Sequence, residues 1–408
     1  MQVLAGRRTL VRKSLLGLTA LALLTSSVLP PQAQACPFCS AQQMTLSEEM
    51  KSNDLTVICK LINRPQNVPA DAPPEASECT FEVITALKGE EHLARQPGAA
   101  KPYKVKILYF GEQPLETKFL AFGIDPTNLA WGTPVVMNDR SIAYTSQLLK
   151  LPESGADRLA FFQNYFEDED PLLAADAYDE FAKAPYSDLV ALKDRMPREK
   201  LLKWVTDPNV TTSRKRLYLC MLSVCGKPED LPLLEALVKN DDRSVRTSLD
   251  ATIGCYLALK GVDGMPLVED LFLKNADSEY TDTYSAIMAL RFIGQETQTI
   301  PRDRLIQAMR HMLERPKLAD LIIPDLTRWQ DWTVVDKLVH LFKSADPESS
   351  WVRVPVVNYL RACPLPEAQK HLEELAKIDP DAIRRAALFF PAAGATPPAA
   401  AVRSGEVK

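Results

Sequence analysis

Residues 231–259, LPLLEALVKNDDRSVRTSLDATIGCYLAL, decide how most of this chain folds. An apolar run leads into Asp241 and Asp242, and a second apolar run follows from Val245. Aspartate and serine favour helix starts because their side chains accept hydrogen bonds from unpaired backbone N–H groups. The stretch therefore predicts two helices joined by a short turn.

The same turn signal recurs along the second half of the chain. Its occurrences lie 32 to 38 residues apart and are Asp207-Pro208, Asp241-Asp242, Ala276-Asp277, Glu314-Arg315-Pro316, Asp346-Pro347 and Asp379-Pro380. A period in this range is typical of an α-solenoid, in which each two-helix unit buries its apolar face against the next. We therefore predict an α-solenoid over residues 170–390 and a disordered Ala/Pro-rich tail over residues 391–408.

Three of these units carry an aspartate at the turn and an apolar residue followed by arginine after it. They are Asp242 with Val245-Arg246, Asp346 with Val352-Arg353, and Asp379 with Ile383-Arg384. In this respect the units resemble HEAT repeats. The resemblance implies that the aspartates and arginines of successive repeats form a hydrogen-bonded ladder, while the apolar residue packs into the core.

The first part of the chain has a different pattern. Short runs at residues 55–62, 81–87, 103–109 and 118–124 are β-prone or alternate between apolar and polar residues, and Pro, Gly and Asp clusters separate them. Such period-2 runs predict antiparallel strands. The fold class is therefore α+β and multidomain: a small antiparallel β barrel or sandwich within residues 36–166, followed by the helical repeats.

Four cysteines lie in this β-rich part: Cys36, Cys39, Cys59 and Cys79. In an oxidising compartment they predict two structural disulfides, with three possible connectivities. The arrangement resembles the netrin-like or TIMP-type OB barrel, in which a cysteine pair opens the mature chain. That resemblance implies a metalloprotease-inhibitor-like module, although those inhibitors open with Cys-x-Cys and this chain has Cys36-Pro37-Phe38-Cys39.

The Cys36-Pro37-Phe38-Cys39 motif also matches glutaredoxin-type redox sites. Redox chemistry needs the first cysteine at a helix N-terminus, where backbone dipoles lower the thiol pKa. Here the helix-start signal is the capping-box pair Thr45 and Glu48, which follows both cysteines. A redox site and a cysteine metal site remain alternatives to structural disulfides. A covalent haem is disfavoured because Ser40 stands where a ligand histidine should follow.

Residues 1–35 read as a signal peptide. Arg7, Arg8, Arg12 and Lys13 form a positive region, residues 15–29 form an apolar region, and Ala33-Gln34-Ala35 is a small-x-small cleavage site. We expect a periplasmic or secreted protein, exported by the general route or by a twin-arginine route suggested by Arg7-Arg8. A lipoprotein is less favoured because Ala33 occupies the position where a lipobox has leucine. No later stretch is long and apolar enough to predict a membrane span.

Composition and absent motifs exclude several functions. The net charge of −5 over 408 residues argues against nucleic acid as the main partner, because phosphate binding needs clustered positive charge. Four histidines and no nucleophile elbow, phosphate loop or zincin motif predict no catalytic site, no metal and no cofactor. We therefore predict a non-enzymatic scaffold that uses the helical array to bind an unidentified protein partner.

Two tryptophans are the candidate partner-binding residues. Trp329 and Trp332 flank a turn within the helical array. Aromatic side chains at such a turn pack between repeats or anchor a partner on the exposed face, and the sequence leaves both readings open. The cysteines of this part, Cys220, Cys225, Cys255 and Cys363, are expected to be buried thiols.

Overall fold

Six antiparallel strands form one sheet in the first part of the chain. The computed structural model describes residues 38–39, 41, 43–65 and 73–389, so the predicted signal peptide and C-terminal tail lie outside the described residues. The strands are β1 (Leu55–Asn63), β2 (Glu78–Lys88), β3 (Lys104–Leu108), β4 (Lys118–Ile124), β5 (Ala130–Trp131) and β6 (Val135–Met137). Their order is β3-β2-β1-β4-β5, and β6 also pairs with β4, which gives an antiparallel sheet close to a barrel. The four predicted strand runs are confirmed.

The alternation of side chains on β1 explains how the sheet joins the rest of the protein. Leu55, Val57 and Cys59 point into a small core of the sheet itself, where Phe81 and Phe119 pack edge to face with ring centroids 5.3 Å apart. Successive strand residues point to opposite faces. On the other face of β1 and β4, Ile58, Leu120 and Phe122 belong to the large core that the helices form. The two central strands are therefore buried on both sides.

The remainder of the described chain is helical. The helices are α1 (Leu46–Ser52), α2 (Glu90–Ala94), α3 (Asp139–Leu148), α4 (Ala156–Phe162), α5 (Pro171–Lys183), α6 (Tyr186–Ala191), α7 (Arg198–Thr206), α8 (Thr212–Cys225), α9 (Leu231–Lys239), α10 (Arg243–Arg246), α11 (Leu249–Lys260), α12 (Met265–Val268), α13 (Tyr280–Phe292), α14 (Arg302–Arg310), α15 (Ile323–Arg328), α16 (Val335–Ser344), α17 (Arg353–Ala362), α18 (Pro366–Ile378) and α19 (Pro380–Phe389). Helix α8 packs on α7 and α11, α11 packs on α9 and α13, and α17 packs on α15 and α19. Among the described residues, none of these helices has the length and apolar character needed to cross a membrane.

The stretch 231–259 folds into three helices rather than the predicted two. Helix α9 and the turn at Asp242 agree with the prediction, and the Asp242 side chain accepts a hydrogen bond from the Ser244 N–H. The following helix stops after one turn, α10, and restarts as α11. The backbone of Ser248, at φ −118° and ψ 23°, leaves helical geometry between them. Arg246 at the end of α10 is held by the Asn240 carbonyl at 2.9 Å and by Asp282.

Arginine–carboxylate ion pairs connect segments that are far apart in sequence. Within residues 170–389, five arginine–aspartate pairs span 26 to 36 residues: Arg198–Asp230, Arg216–Asp250, Arg246–Asp282, Arg291–Asp325 and Arg353–Asp379. Arg246 and Arg353 come from the repeat signature, whereas Arg384 pairs within its own helix with Asp381. Asp242 caps its own turn, and Asp346 accepts from the hydroxyl of Ser349. Four of the five aspartates in these pairs, all except Asp379, are therefore ones that the signature did not identify.

The most buried of these ion pairs provides a test of how much such pairs stabilise the fold. Asp325 is 0 % exposed and receives two hydrogen bonds from Arg291, at 3.0 and 2.8 Å to the same carboxylate oxygen. Without Arg291, Asp325 keeps only the half-exposed Arg328, at 3.1 Å, as a cationic partner. Removing one partner of a buried ion pair typically costs about 3 kcal/mol. Arg291→Met keeps an apolar stem of similar length, so we expect amide hydrogen exchange in α13 and α15 to quicken roughly 100-fold.

The matched control is Lys343→Met. Lys343 pairs with Glu374 at 3.1 Å, and both side chains are about half exposed. Exposed ion pairs are screened by water and contribute little, so exchange in α16 and α18 should stay near the wild-type rate. Equal effects of the two substitutions would contradict the assignment of stability to the buried pairs.

Candidate functional site

The N-terminal segment lies against the helical array through one aromatic side chain. The ring of Phe38 meets Phe292 of α13 edge to face, with centroids 5.1 Å apart, and Phe292 in turn meets Tyr186 of α6 at 5.6 Å. Gly254 of α11 completes the site. A Cβ atom at position 254 would lie 3.0 Å from Cζ of Phe38, which is too close for an undisturbed contact. We call the site formed by Tyr186, Gly254 and Phe292 the Phe38 pocket.

Two charged side chains of α5 hold the backbone of the same segment. Lys183 Nζ donates to the carbonyl of Gln43 at 2.8 Å, and Asp176 Oδ1 accepts from the N–H of Leu46 at 2.6 Å. Thr45 and Glu48 form the predicted capping box at the start of α1. Glu48 also pairs with Lys183. The segment is thus bound like a peptide, by one aromatic anchor and by side-chain contacts to its backbone.

A network of buried charged and polar side chains lies next to these contacts. Asp176 is 3 % exposed and also accepts a hydrogen bond from the Tyr144 hydroxyl at 2.5 Å. Burial raises the pKa of Asp176 to about 7, and the hydrogen bonds from Tyr144 and from the Leu46 N–H oppose this rise. Arg158 and Glu180 form a buried bidentate ion pair at 2.7 to 3.0 Å beside it. The charges of Arg158 and Glu180 therefore cancel, and the raised pKa of Asp176 favours its neutral form.

A cavity of about 210 Å³ lies next to this network. Three ion pairs line it: Lys51–Glu153, Lys183–Glu48 and Arg158–Glu180. The remaining lining carboxylate, Asp188, accepts a hydrogen bond from the Gly155 N–H at 2.7 Å. Each of these charged groups therefore has a partner, and the cavity lies between α1, α4 and α5.

The structure corrects part of the disulfide prediction. Cys59 and Cys79 are free, buried thiols. Cys59 lies opposite Val83 across the β1–β2 pair, and Cys79 lies four residues before Val83 on β2. At about 3.3 Å per strand residue their Cα atoms are roughly 13 Å apart along the strand, well beyond disulfide reach. Cys36 lies outside the described residues, so a Cys36–Cys39 disulfide stays a prediction.

The thiols that the structure describes as free have surroundings that suppress their reactivity. Burial raises the pKa of Cys59 to about 12 and that of Cys225 to about 11, and it also raises the pKa of Cys79. The thiolate is the reactive form, so these sulfurs are expected to be inert at neutral pH. Cys220, Cys225 and Cys255 are buried, as expected, and Cys363 is partly buried. No group of three His, Cys, Asp or Glu side chains among the described residues is placed to hold a metal ion.

The geometry around Cys39 gives no support to the two alternative functions. Cys39 is 6 % exposed, and α1 begins only at Leu46, so the helix dipole that would activate a redox cysteine is seven residues away. Phe38 is turned toward this protein's own helices. A protease inhibitor of the TIMP type would need this end of the chain to project into another protein's active site.

Trp329 and Trp332 do not form an exposed anchor. Trp329 is buried over Gly294, where an added Cβ would lie 2.9 Å from its ring. Trp332 packs edge to face on Tyr359, with centroids 5.1 Å apart. Both side chains therefore serve packing within the helical array.

Other aromatic residues of the array are exposed instead. Tyr280 and Tyr284 stack on α13 with ring centroids 6.0 Å apart and planes at 8°, and Tyr280 is 54 % exposed. Trp351 is 46 % exposed, and its indole N–H donates to the Lys317 carbonyl at 3.1 Å. The sequence signal for the tyrosine pair was their i, i+4 spacing, which places both rings on the same side of α13.

The acidic run at residues 167–170 is a structural junction. Glu167 accepts hydrogen bonds from the Tyr218 hydroxyl at 2.5 Å and from Arg214 at 3.1 Å. Asp168 pairs with Arg140, and Asp170 caps α5 by accepting from the Leu172 N–H at 3.0 Å. These contacts tie α3, α5 and α8 together. The run is therefore held by cations, by a tyrosine hydroxyl and by a helix start.

Gly254→Ala tests whether Phe38 occupies the pocket. Glycine inside a helix usually costs about 1 kcal/mol relative to alanine, so this substitution would ordinarily stabilise α11. Here the new methyl group meets the rings of Phe38 and Phe292, and we expect a lower unfolding midpoint in urea. In a Phe38→Ala background the same substitution should cost less. Additive effects of the two substitutions would show that the side chains do not meet.

Asp176→Asn tests the buried carboxylate. The folded protein raises the pKa of Asp176 from its ordinary 3.8 to about 7, so between these pH values the folded chain keeps a proton that the unfolded chain releases. The contribution of Asp176 to the free energy of unfolding therefore falls as pH rises through this window. The variant cannot ionise, and its stability relative to wild type should increase by roughly 1 to 3 kcal/mol between pH 4 and pH 8.

Urea unfolding at several pH values measures this difference. Asp241→Asn is the control, because Asp241 is an exposed residue of a turn. Parallel pH profiles for wild type and Asp176→Asn would contradict the raised pKa.

Taken together, the site joins an aromatic contact to two side-chain contacts with the backbone of the N-terminal segment. It offers an aromatic pocket, a lysine that reads a carbonyl and a carboxylate that reads an N–H. A scan against protein-family models found no family that matches the chain, and a search of curated proteins found no match either.

Proposed function

We propose that this protein is an exported, non-enzymatic scaffold whose helical array binds an extended segment of a protein partner. The observation that carries the proposal is the array's hold on its own N-terminal segment. Phe38 enters the pocket on α6, α11 and α13, while α5 binds the backbone at Gln43 and Leu46. A surface that binds one segment of chain in this way has the physical means to bind another.

The architecture supports this function. In the proposed arrangement, residues 170–390 form a HEAT-like solenoid, residues 36–166 form an OB-like domain, and residues 1–35 direct export to the periplasm or the exterior. The buried ion pairs between helices, such as Arg246–Asp282 and Arg291–Asp325, favour one fixed spacing of the array. A preorganised surface binds more tightly because less conformational entropy is lost on association.

The exposed stacked pair Tyr280 and Tyr284 is the proposed contact for the partner. Tyrosine supplies a large apolar ring and a hydroxyl at low entropic cost, and exposed aromatics are enriched where proteins bind one another. This pair is more exposed than Trp329, which is buried, and Trp332, which is partly buried against Tyr359.

Pull-down with the full-length chain tests the proposal. Wild type and Tyr280→Ala/Tyr284→Ala would be exposed to the extracytoplasmic proteins of the native host, and bound proteins quantified by mass spectrometry. We expect a specific partner whose recovery falls at least tenfold with the double substitution, since central aromatic contacts dominate binding energy.

Phe110→Ala is the matched control. Phe110 is an exposed aromatic side chain of the β-sheet part, so its truncation changes exposed apolar area without touching the array. Loss of the partner with Phe110→Ala, and retention with the tyrosine variant, would move the binding function to the sheet and contradict the proposal.

A further inference from the structure

We infer that the Phe38 pocket is a peptide-recognition site, and that the N-terminal segment fills it as a built-in ligand. The site would accept in trans an extended peptide with a phenylalanine, a backbone carbonyl five residues later and a backbone N–H eight residues later. This inference rests on the proposed binding function and names the chemistry of the bound segment.

The pocket is built for an aromatic ring. Gly254 lies in the interior of α11, where glycine weakens the helix, and its missing side chain leaves the space that the Phe38 ring occupies. Phe292 presents its ring to Phe38 edge to face, which is a preferred geometry for aromatic pairs. Tyr186 holds Phe292 in place, and its hydroxyl lies 3.5 Å from that of Ser223. Each wall of the pocket is therefore itself supported.

The other two contacts are hydrogen bonds to the peptide backbone only. Lys183 binds the carbonyl of residue 43, and Asp176 binds the N–H of residue 46. Neither contact depends on the side chain of the bound residue. Sequence preference should therefore reside at the phenylalanine, and the two α5 contacts should fix the direction and the register of the peptide.

Phe38 is only partly buried, and the described residues between it and α1 add no helix or strand. A tethered segment competes at an effective concentration in the millimolar range, so a free peptide of equal intrinsic affinity is normally excluded. Weakening the tethered anchor should open the pocket to the free peptide.

The probe is a fluorescein-labelled peptide that copies residues 36–47, with serine in place of both cysteines to exclude thiol chemistry. Its binding to full-length wild type and to full-length Phe38→Ala would be measured by fluorescence anisotropy. We expect the peptide to bind Phe38→Ala at least tenfold more tightly than wild type, because the variant no longer fills the pocket.

Three controls assign the binding to this site. A peptide with alanine at the position of Phe38 should bind Phe38→Ala at least tenfold more weakly. Phe38→Ala/Gly254→Ala should also bind more weakly, because the added methyl group occupies the pocket. Phe38→Ala/Lys183→Ala lacks the lysine that contacts the carbonyl and should bind the peptide more weakly than Phe38→Ala. Phe38→Ala/Lys343→Ala removes a distant exposed lysine instead and should bind the peptide like Phe38→Ala.

Equal binding to wild type and Phe38→Ala, or no binding to either, would overturn the inference. Binding that ignores the peptide's phenylalanine would overturn it as well. These outcomes are separable from failure of the scaffold function. If a partner binds wild type and is lost with Tyr280→Ala/Tyr284→Ala, the scaffold function stands even when the peptide does not bind.

Discussion

Carboxylates buried between helices are the constraint on which the rest of the structure depends. Asp230, Asp282 and Asp325 have almost no exposure to water, and removing a charge from water costs several kcal/mol. An arginine about one repeat away along the chain must approach within hydrogen-bond distance to offset this cost. Each pair therefore admits only a narrow range of helix positions. Hydrophobic packing alone would tolerate small slides between helices, whereas a buried ion pair does not.

This constraint reaches the candidate site directly. The Phe38 pocket spans two helices, with Gly254 on α11 and Phe292 on α13. The Arg246–Asp282 pair joins α10, just before α11, to the start of α13 and so helps to set their spacing. The sheet is fixed to the same body because β1 and β4 bury their second faces against the helices. The site is thus shaped by contacts that lie outside it.

The sequence predicted those features that depend on local pattern. Strand runs follow the period of 2, turn positions follow aspartate and proline, and the capping box at Thr45 and Glu48 is present as expected. The Phe38 pocket could not be predicted this way, since Tyr186, Gly254 and Phe292 are separated by tens of residues and meet only after the helices pack. One signal was available: an isolated glycine inside an apolar helix usually has a packing reason. The disulfide prediction was wrong for Cys59 and Cys79, because composition suggests pairing whereas strand register decides which sulfurs can meet.

The Cys36-Pro37-Phe38-Cys39 motif matches a redox site in sequence, and in the structure its phenylalanine packs against the helices. A redox motif needs a sulfur that is exposed and activated by a helix N-terminus. In this protein Phe38, one of the two residues between the cysteines, packs its ring against Phe292 and Gly254. Cys39 is buried beside it, and the nearest helix starts after the segment has already been fixed by Lys183. A cross-link between the two cysteines would hold the backbone around Phe38 in one shape, and so would favour insertion of the ring by lowering the entropy lost on docking.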